Sequence, residues 1–224
     1  MQTPGAQAAP PMRTAFYVAL VLTLAFKIWL AVALPMTGDE AYFIYWGVYP
    51  DYGFYDHPPM IGWILTLLLP LSRAEWALRL PVIVLPALVA LVMLQYLRPA
   101  DESKAYVAAL AFLLVPVNVW NVLITTDTPL VLFCVLSALC FAAALQRGSR
   151  MLYAVSGALL GLAFLSKYLA LLLGLAYLAF VLTQPAGRRS WRGLAIAFAG
   201  VLPFAALNAW WNYNHCWGTA LPSA

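Results

Sequence analysis

Between residues 37 and 59 the chain carries the side chains best suited to chemistry: Asp39 and Glu40 in Thr37-Gly38-Asp39-Glu40, then Asp51, then Asp56-His57-Pro58-Pro59. A carboxylate can take a proton from a hydroxyl, and an imidazole held at a surface can bind a phosphate or shuttle a proton. Two further groups lie downstream: Asp127 before Thr128-Pro129, and Lys167 inside an apolar run, where an ammonium needs an anionic partner. Each also has an ordinary structural reading. Thr37 to Glu40 has the spacing of a capping box, and Asp39 in the first turn suits the helix dipole. Asp56 or His57 can sit at the start of a helix entered through proline, Asp127 can be an N-cap, and Lys167 can complement a helix C-terminus. The helix after Gly38 is expected to set Asp39 on one face with Tyr42, Phe43 and Trp46, at i+3, i+4 and i+7. A carboxylate against rings is either an interfacial aromatic anchor or the wall of a site.

The elements that hold these residues are apolar helices. Of 224 residues, 65% are hydrophobic and only 9% charged, against roughly 45–50% and about 25% in soluble domains. The chain therefore reads as an all-α polytopic membrane protein. Its net charge of +4 comes from basic residues scattered through short loops, so nucleic acid is not an expected partner. Cys134, Cys140 and Cys216 form no disulfide or metal pattern. Residues 1–13 read as a disordered cytoplasmic tail and 14–211 as the transmembrane domain, with an outer loop and interfacial helices over 36–77 and a loop remnant at 212–224. Spans are expected at 14–34, 78–97, 105–123, 128–146 and 193–209. The first outlasts the 7–15 residues of a signal-peptide core and is broken by Lys27, which is expected to snorkel or face the bundle interior. Residues 60–71 are too short to cross and should lie at the interface.

The apolar run 151–183 is one overlong helix or two short ones, and charge parity separates the two. With two helices, Arg13, Arg98, Lys104, Arg147, Arg150, Arg188, Arg189 and Arg192 share one side, which the positive-inside rule makes the cytoplasm. About seven spans result. Asp39, Glu40, Asp51, Asp56, Glu75 and Asp127 then gather on the outer side with Lys167, His57 and His215. Trp210, Trp211 and Trp217 read as an aromatic belt.

The order of short motifs is more specific than any one of them. Gly38-Asp39-Glu40-Ala41-Tyr42, Tyr55-Asp56-His57-Pro58-Pro59, Ala77-Leu78-Arg79-Leu80-Pro81, Thr126-Asp127-Thr128-Pro129-Leu130, Leu165-Ser166-Lys167-Tyr168 and Trp211-Asn212-Tyr213-Asn214-His215-Cys216-Trp217 follow one another from about Phe26 to Trp217. This series resembles the GT-C membrane glycosyltransferases of the dolichyl-phosphate-mannose-protein mannosyltransferase superfamily. It is most similar to the bacterial aminoarabinose transferases of lipid A and the galacturonosyltransferases of lipopolysaccharide core.

The resemblance implies transfer of one sugar from a polyprenyl-phosphate donor to a lipid, glycan or protein acceptor at the outer face of the bacterial inner membrane. Asp39 is then the catalytic base, with His57 and Lys167 on the donor phosphate and Glu40, Asp56, Asp127 and Tyr42 in support. Several relatives have lysine where His57 stands. No metal site is indicated, although Asp39, Glu40 and Asp127 are oxygen donors a divalent cation could use. Such enzymes continue through more spans, so the chain reads as an N-terminal portion. Charges inside apolar runs also suit a transporter of lipid-linked sugars, and the shortness of the chain suits an inactive relative.

Overall fold

A computed structural model of the chain describes residues 10–215. Its α-helices, joined by turns and short irregular segments, run in the order α1 (Pro10–Ala33), α2 (Gly38–Val48), α3 (Met60–Leu68), α4 (Glu75–Leu78), α5 (Leu80–Leu97), α6 (Glu102–Leu113), α7 (Pro116–Trp120), α8 (Asp127–Arg147), α9 (Arg150–Phe164), α10 (Leu171–Thr183) and α11 (Trp191–Asn214). Of the expected disordered tail, residues 10–13 are helix, opened by Pro10 and Pro11, and residues 1–9 lie outside the described residues. Proline suits a first helical turn, where its missing N–H would have had no partner. At the other end α11 runs through Asn214, so residues 212–214 are helix rather than loop. Cys216, Trp217 and the rest of the expected loop remnant lie outside the described residues.

Among the described residues four helical stretches are long and apolar enough to cross a membrane: 11–33, the joined α4 and α5 at 75–97, 127–147 and 191–214. The expected span at 105–123 is interrupted. Pro116 excludes Val115 from helical geometry, α6 ends at Leu113, and only the five-residue α7 follows. The run 151–183 is two helices, broken at Leu165–Lys167. With 12, 15 and 13 residues, α6, α9 and α10 fall short of the ~20 residues of an independent span. Among the described residues, length and composition therefore single out four spans.

Packing divides the bundle lengthwise into two ends. Phe16, Leu94 and Ala105 share a core cluster that gathers the start of α1, the end of α5 and the start of α6. A cavity lined by Leu97, Arg147 and Leu152 joins the ends of α5 and α8 to the start of α9, and the Tyr153 and Ser190 hydroxyls meet at 2.9 Å just before α11. The turns that carry Arg98, Arg147, Arg150, Arg188 and Arg189 thus collect at one end, while Arg73 stands in the turn before α4 at the other.

The half made of α8, α9, α10 and α11 is tied by small residues and hydroxyls. The Ser137 hydroxyl contacts those of Ser156 and Tyr177, at 3.2 and 2.8 Å, deep between helices. Gly157 lets α9 lie directly against the Ala197 backbone of α11. Small residues that bring backbones together, with hydrogen-bonding hydroxyls, are what packs helices where lipid supplies no hydrophobic drive. Cys134 and Cys140 are both free thiols.

Candidate functional site

At the opposite end the loops after α1 and α7 and the head of α5 converge on Glu40. Thr37 and Glu40 form the expected capping box: the Thr37 hydroxyl accepts from the Glu40 amide at 3.4 Å, and the Thr37 amide donates to Glu40 Oε2 at 3.1 Å. The carboxylate does more than cap. Glu40 and Arg79 are both completely buried and form a bidentate pair, Arg79 Nε to Oε1 at 2.8 Å and Nη2 to Oε2 at 2.7 Å. The other three guanidinium N–H groups donate to the carbonyls of Ala31, Leu34 and Pro35 at 2.7 to 3.0 Å. All five donors of Arg79 are therefore used. Those carbonyls are the open end of α1, where a cation is favoured, so one ion pair closes α1 and starts α2.

Glu40 Oε1 also accepts from the amide of Ile124, 84 residues away, at 3.1 Å. This fixes the extended segment before α8. Burial raises the Glu40 pKa, but the hydrogen bonds from Arg79, Thr37 and Ile124 lower it further, and the net displacement is below its ordinary value.

From Ile124 the chain enters α8 at Asp127. Asp127 is not a side-chain N-cap. Its Oδ2 accepts from the Thr125 hydroxyl at 3.2 Å, and its Oδ1 meets Lys167 Nζ at 2.7 Å. Lys167 sits in the break between α9 and α10, so the ammonium leaves the apolar run and reaches a carboxylate instead of complementing a helix end. Next to it the Leu165 carbonyl accepts from the Met60 amide at 3.1 Å, which docks the start of α3.

His57 lies just before α3, its ring 6.1 Å from those of Phe43 and Trp46. It does not cap α3, and neither does Asp56, since the residue preceding that helix is Pro59 with no side-chain cap. Burial is the main cause holding the imidazole below its ordinary pKa of 6.5; Asp56 and Asp127 raise it and Lys167 lowers it. His57 is thus within electrostatic reach of the Asp127–Lys167 pair.

These contacts close a ring: Glu40 to Ile124, along the chain to Asp127, across to Lys167, to His57, onto Phe43 and back along α2. Asp39 stands on this ring beside Glu40, exposed and without a side-chain hydrogen bond or ion pair among the described residues. The expected face is corrected here. Phe43 and Trp46 share the buried side with Glu40, while Asp39 and Tyr42 point outward, the Tyr42 ring edge-on to Trp46 at 4.8 Å. Burying Glu40 turns the neighbouring carboxylate outward. Asp56 is exposed next to His57.

Arg79 is the residue that sequence reasoning left without a role. It appears in Ala77-Leu78-Arg79-Leu80-Pro81, and its signal was an arginine at the head of an apolar run facing an outer loop with spare acids. Among the described residues no three His, Cys, Asp or Glu side chains gather as a metal centre requires.

Residues 56–211 match the family described as dolichyl-phosphate-mannose-protein mannosyltransferase. Over 205 residues the chain is 32% identical to the lipid A galacturonosyltransferase RgtD of Rhizobium johnstonii. That alignment covers 88% of this chain and 43% of the relative, so the chain spans less than half of that protein's length. No solved structure matches the chain.

Proposed function

The chain belongs to the dolichyl-phosphate-mannose-protein mannosyltransferase family, and on that premise we propose that it transfers a sugar from a polyprenyl-phosphate donor to a lipid acceptor. The observation that carries the reading is the pairing of an outward Asp39 carboxylate, free among the described residues, with a neighbour, Glu40, immobilised by Arg79 and Ile124. A general base must be free to accept a proton yet held in place. In the proposed step Asp39 takes the proton of the acceptor hydroxyl as its oxygen bonds to the anomeric carbon. The bond from that carbon to the phosphate oxygen breaks, and its electron pair leaves with the polyprenyl phosphate.

Negative charge grows on the leaving phosphate. Lys167 and His57 are the groups proposed to meet it, with Asp127 holding the ammonium until the donor arrives. Asp56 sets the local charge at His57, and Tyr42 offers an exposed ring beside the base.

The arginine-rich end is proposed to face the cytoplasm of a bacterial inner membrane and the Asp39 end its exterior, following the positive-inside rule. The shorter α6, α9 and α10 complete about seven crossings, and the apolar helix faces hold the prenyl tail. The test is Asp39→Asn in the membrane-inserted protein: insertion and thermal stability stay at wild-type levels while sugar transfer is lost by ~10²–10⁴-fold, the range of general-base contributions. Transfer at the wild-type rate would remove Asp39 from this role.

A further inference from the structure

The arginine-bearing end of the bundle holds a cavity that sugar transfer leaves without a role. α5 and α8 part as they approach their final turns, and the gap between them measures about 790 Å³. Cavities of ~300–1,000 Å³ take whole small-molecule ligands. The inner walls are mostly apolar: Val92 and Tyr96 of α5 stand across from Leu136, Leu139 and Ala143 of α8, with Leu152 of α9 beside them. Gln95, Gln146 and Arg147, all exposed, line the cavity where α5 and α8 end. It is thus apolar inward and polar at its mouth, and a guest that fits it is amphipathic in the same sense.

The mouth also has a sign. The acids of the neighbouring turn, Asp101 and Glu102, are held by Lys104 and Arg98 at 3.0 and 2.8 Å. Arg147 has no ion pair and no side-chain hydrogen bond among the described residues. Its place in the last turn of α8 suits the helix dipole, which accounts for a cation on that turn but not for the gap beside it. α9 starts at the same mouth with no acid in its first turn, so its positive end adds to the arginine. The mouth therefore favours an anionic head.

Depth narrows the guest further. From Leu136 to Arg147 the lining of α8 runs roughly 16 Å along the helix, at ~1.5 Å per residue. That is about half of a ~30 Å hydrocarbon core, the depth of one leaflet. An acyl chain hung from a head at the membrane surface has this reach. A free phosphate leaves the apolar walls uncovered, and a lipid with a neutral head leaves Arg147 unpaired.

We propose that the gap between α5 and α8 binds an anionic glycerophospholipid, its head at Arg147 and one acyl chain between Val92 and Leu136. Basic pockets between helices at a membrane surface take such heads. The site lies at the end opposite Asp39 and does not depend on sugar transfer. The experiment titrates lipid onto the full chain in neutral detergent and follows thermal unfolding by tryptophan fluorescence. The probes are phosphatidylglycerol, phosphatidylcholine with the same acyl chains, and inorganic phosphate. Phosphatidylglycerol is expected to raise the unfolding temperature with a saturable dose response, and the other two are not. Arg147→Gln weakens that affinity about fivefold, the worth of one arginine near an anionic lipid surface. Arg189→Gln, at the same end but off the cavity, leaves it unchanged, and Ala143→Phe, which fills the gap, abolishes it. An equal shift with phosphatidylcholine or inorganic phosphate overturns the site. So does a wild-type response in Arg147→Gln, or the same loss in Arg189→Gln, which would mark diffuse attraction to a basic end. Arg147 is exposed, so its variant folds and decides the outcome even where Ala143→Phe does not fold.

Discussion

Glu40→Ala tests the structural centre of the site most directly. The carboxylate accepts five hydrogen bonds, two from Arg79, one from Ile124 and two from Thr37. Its removal leaves a guanidinium of zero exposure with two unpaired N–H groups and strands the Ile124 amide. Breaking a buried pair by deleting one partner costs about 3–5 kcal/mol. At roughly 2–4 °C per kcal/mol for a chain of this size, the unfolding temperature falls by about 6–20 °C. The double variant Glu40→Met/Arg79→Met removes the uncompensated charge and recovers much of that loss, because apolar replacement of a buried pair is often close to neutral. It does not restore transfer, because Met can neither hold the Ile124 amide nor cap the carbonyls that end α1. Thermal unfolding followed by tryptophan fluorescence in detergent, alongside a transfer assay, reads both. The sign with pH follows from the lowered carboxyl of Glu40: its stabilisation is complete above the unfolded value near 4.5 and is lost as pH falls through the folded value. Glu40→Gln removes that acid limb. The reasoning fails if Glu40→Ala costs under about 1 kcal/mol, or if the two single variants add to the double within roughly 0.5 kcal/mol, as uncoupled sites would.

Two further outcomes follow from the same geometry. His57, held below 6.5 mainly by burial, is neutral at pH 7; donor affinity should therefore rise as pH drops below 6.5 and the imidazole gains its proton, while His57→Lys should flatten that dependence. The same shift makes stability fall as pH drops below 6.5, because the unfolded chain binds the proton more readily; a pH dependence of the donor KM that His57→Lys leaves unchanged would rule out this account. Gly157→Ala would drive its Cβ into the Ala197 carbonyl oxygen and part α9 from α11, costing about 1–3 kcal/mol in thermal unfolding, whereas Gly187→Ala, with nothing near its Cβ, should be neutral.

Local sequence determined much of this protein. Composition and run length set the membrane class. Thr37 to Glu40 wrote its own capping box, since the four residues that form it are contiguous. Charge parity divided the apolar run 151–183 into two helices, because a single helix would carry Arg188, Arg189 and Arg192 to the acidic side. Arginine and acid placement foretold the two ends of the bundle.

Tertiary structure decided which carboxylate does what. Asp39 and Glu40 are adjacent and chemically alike, and locally the capping box alone distinguishes them; Arg79 and Ile124, 39 and 84 residues away from Glu40, bury it and leave Asp39 outward. The pairing of Asp127 with Lys167 spans 40 residues and depends on the α9–α10 break facing α8. That Lys27 donates to the Val82 carbonyl and, among the described residues, meets no carboxylate was likewise invisible in sequence, because the partners of a buried charge are set by the packed neighbours. Periodicity assigns a residue to a helix, but a buried charge is defined by the groups that other helices bring to it.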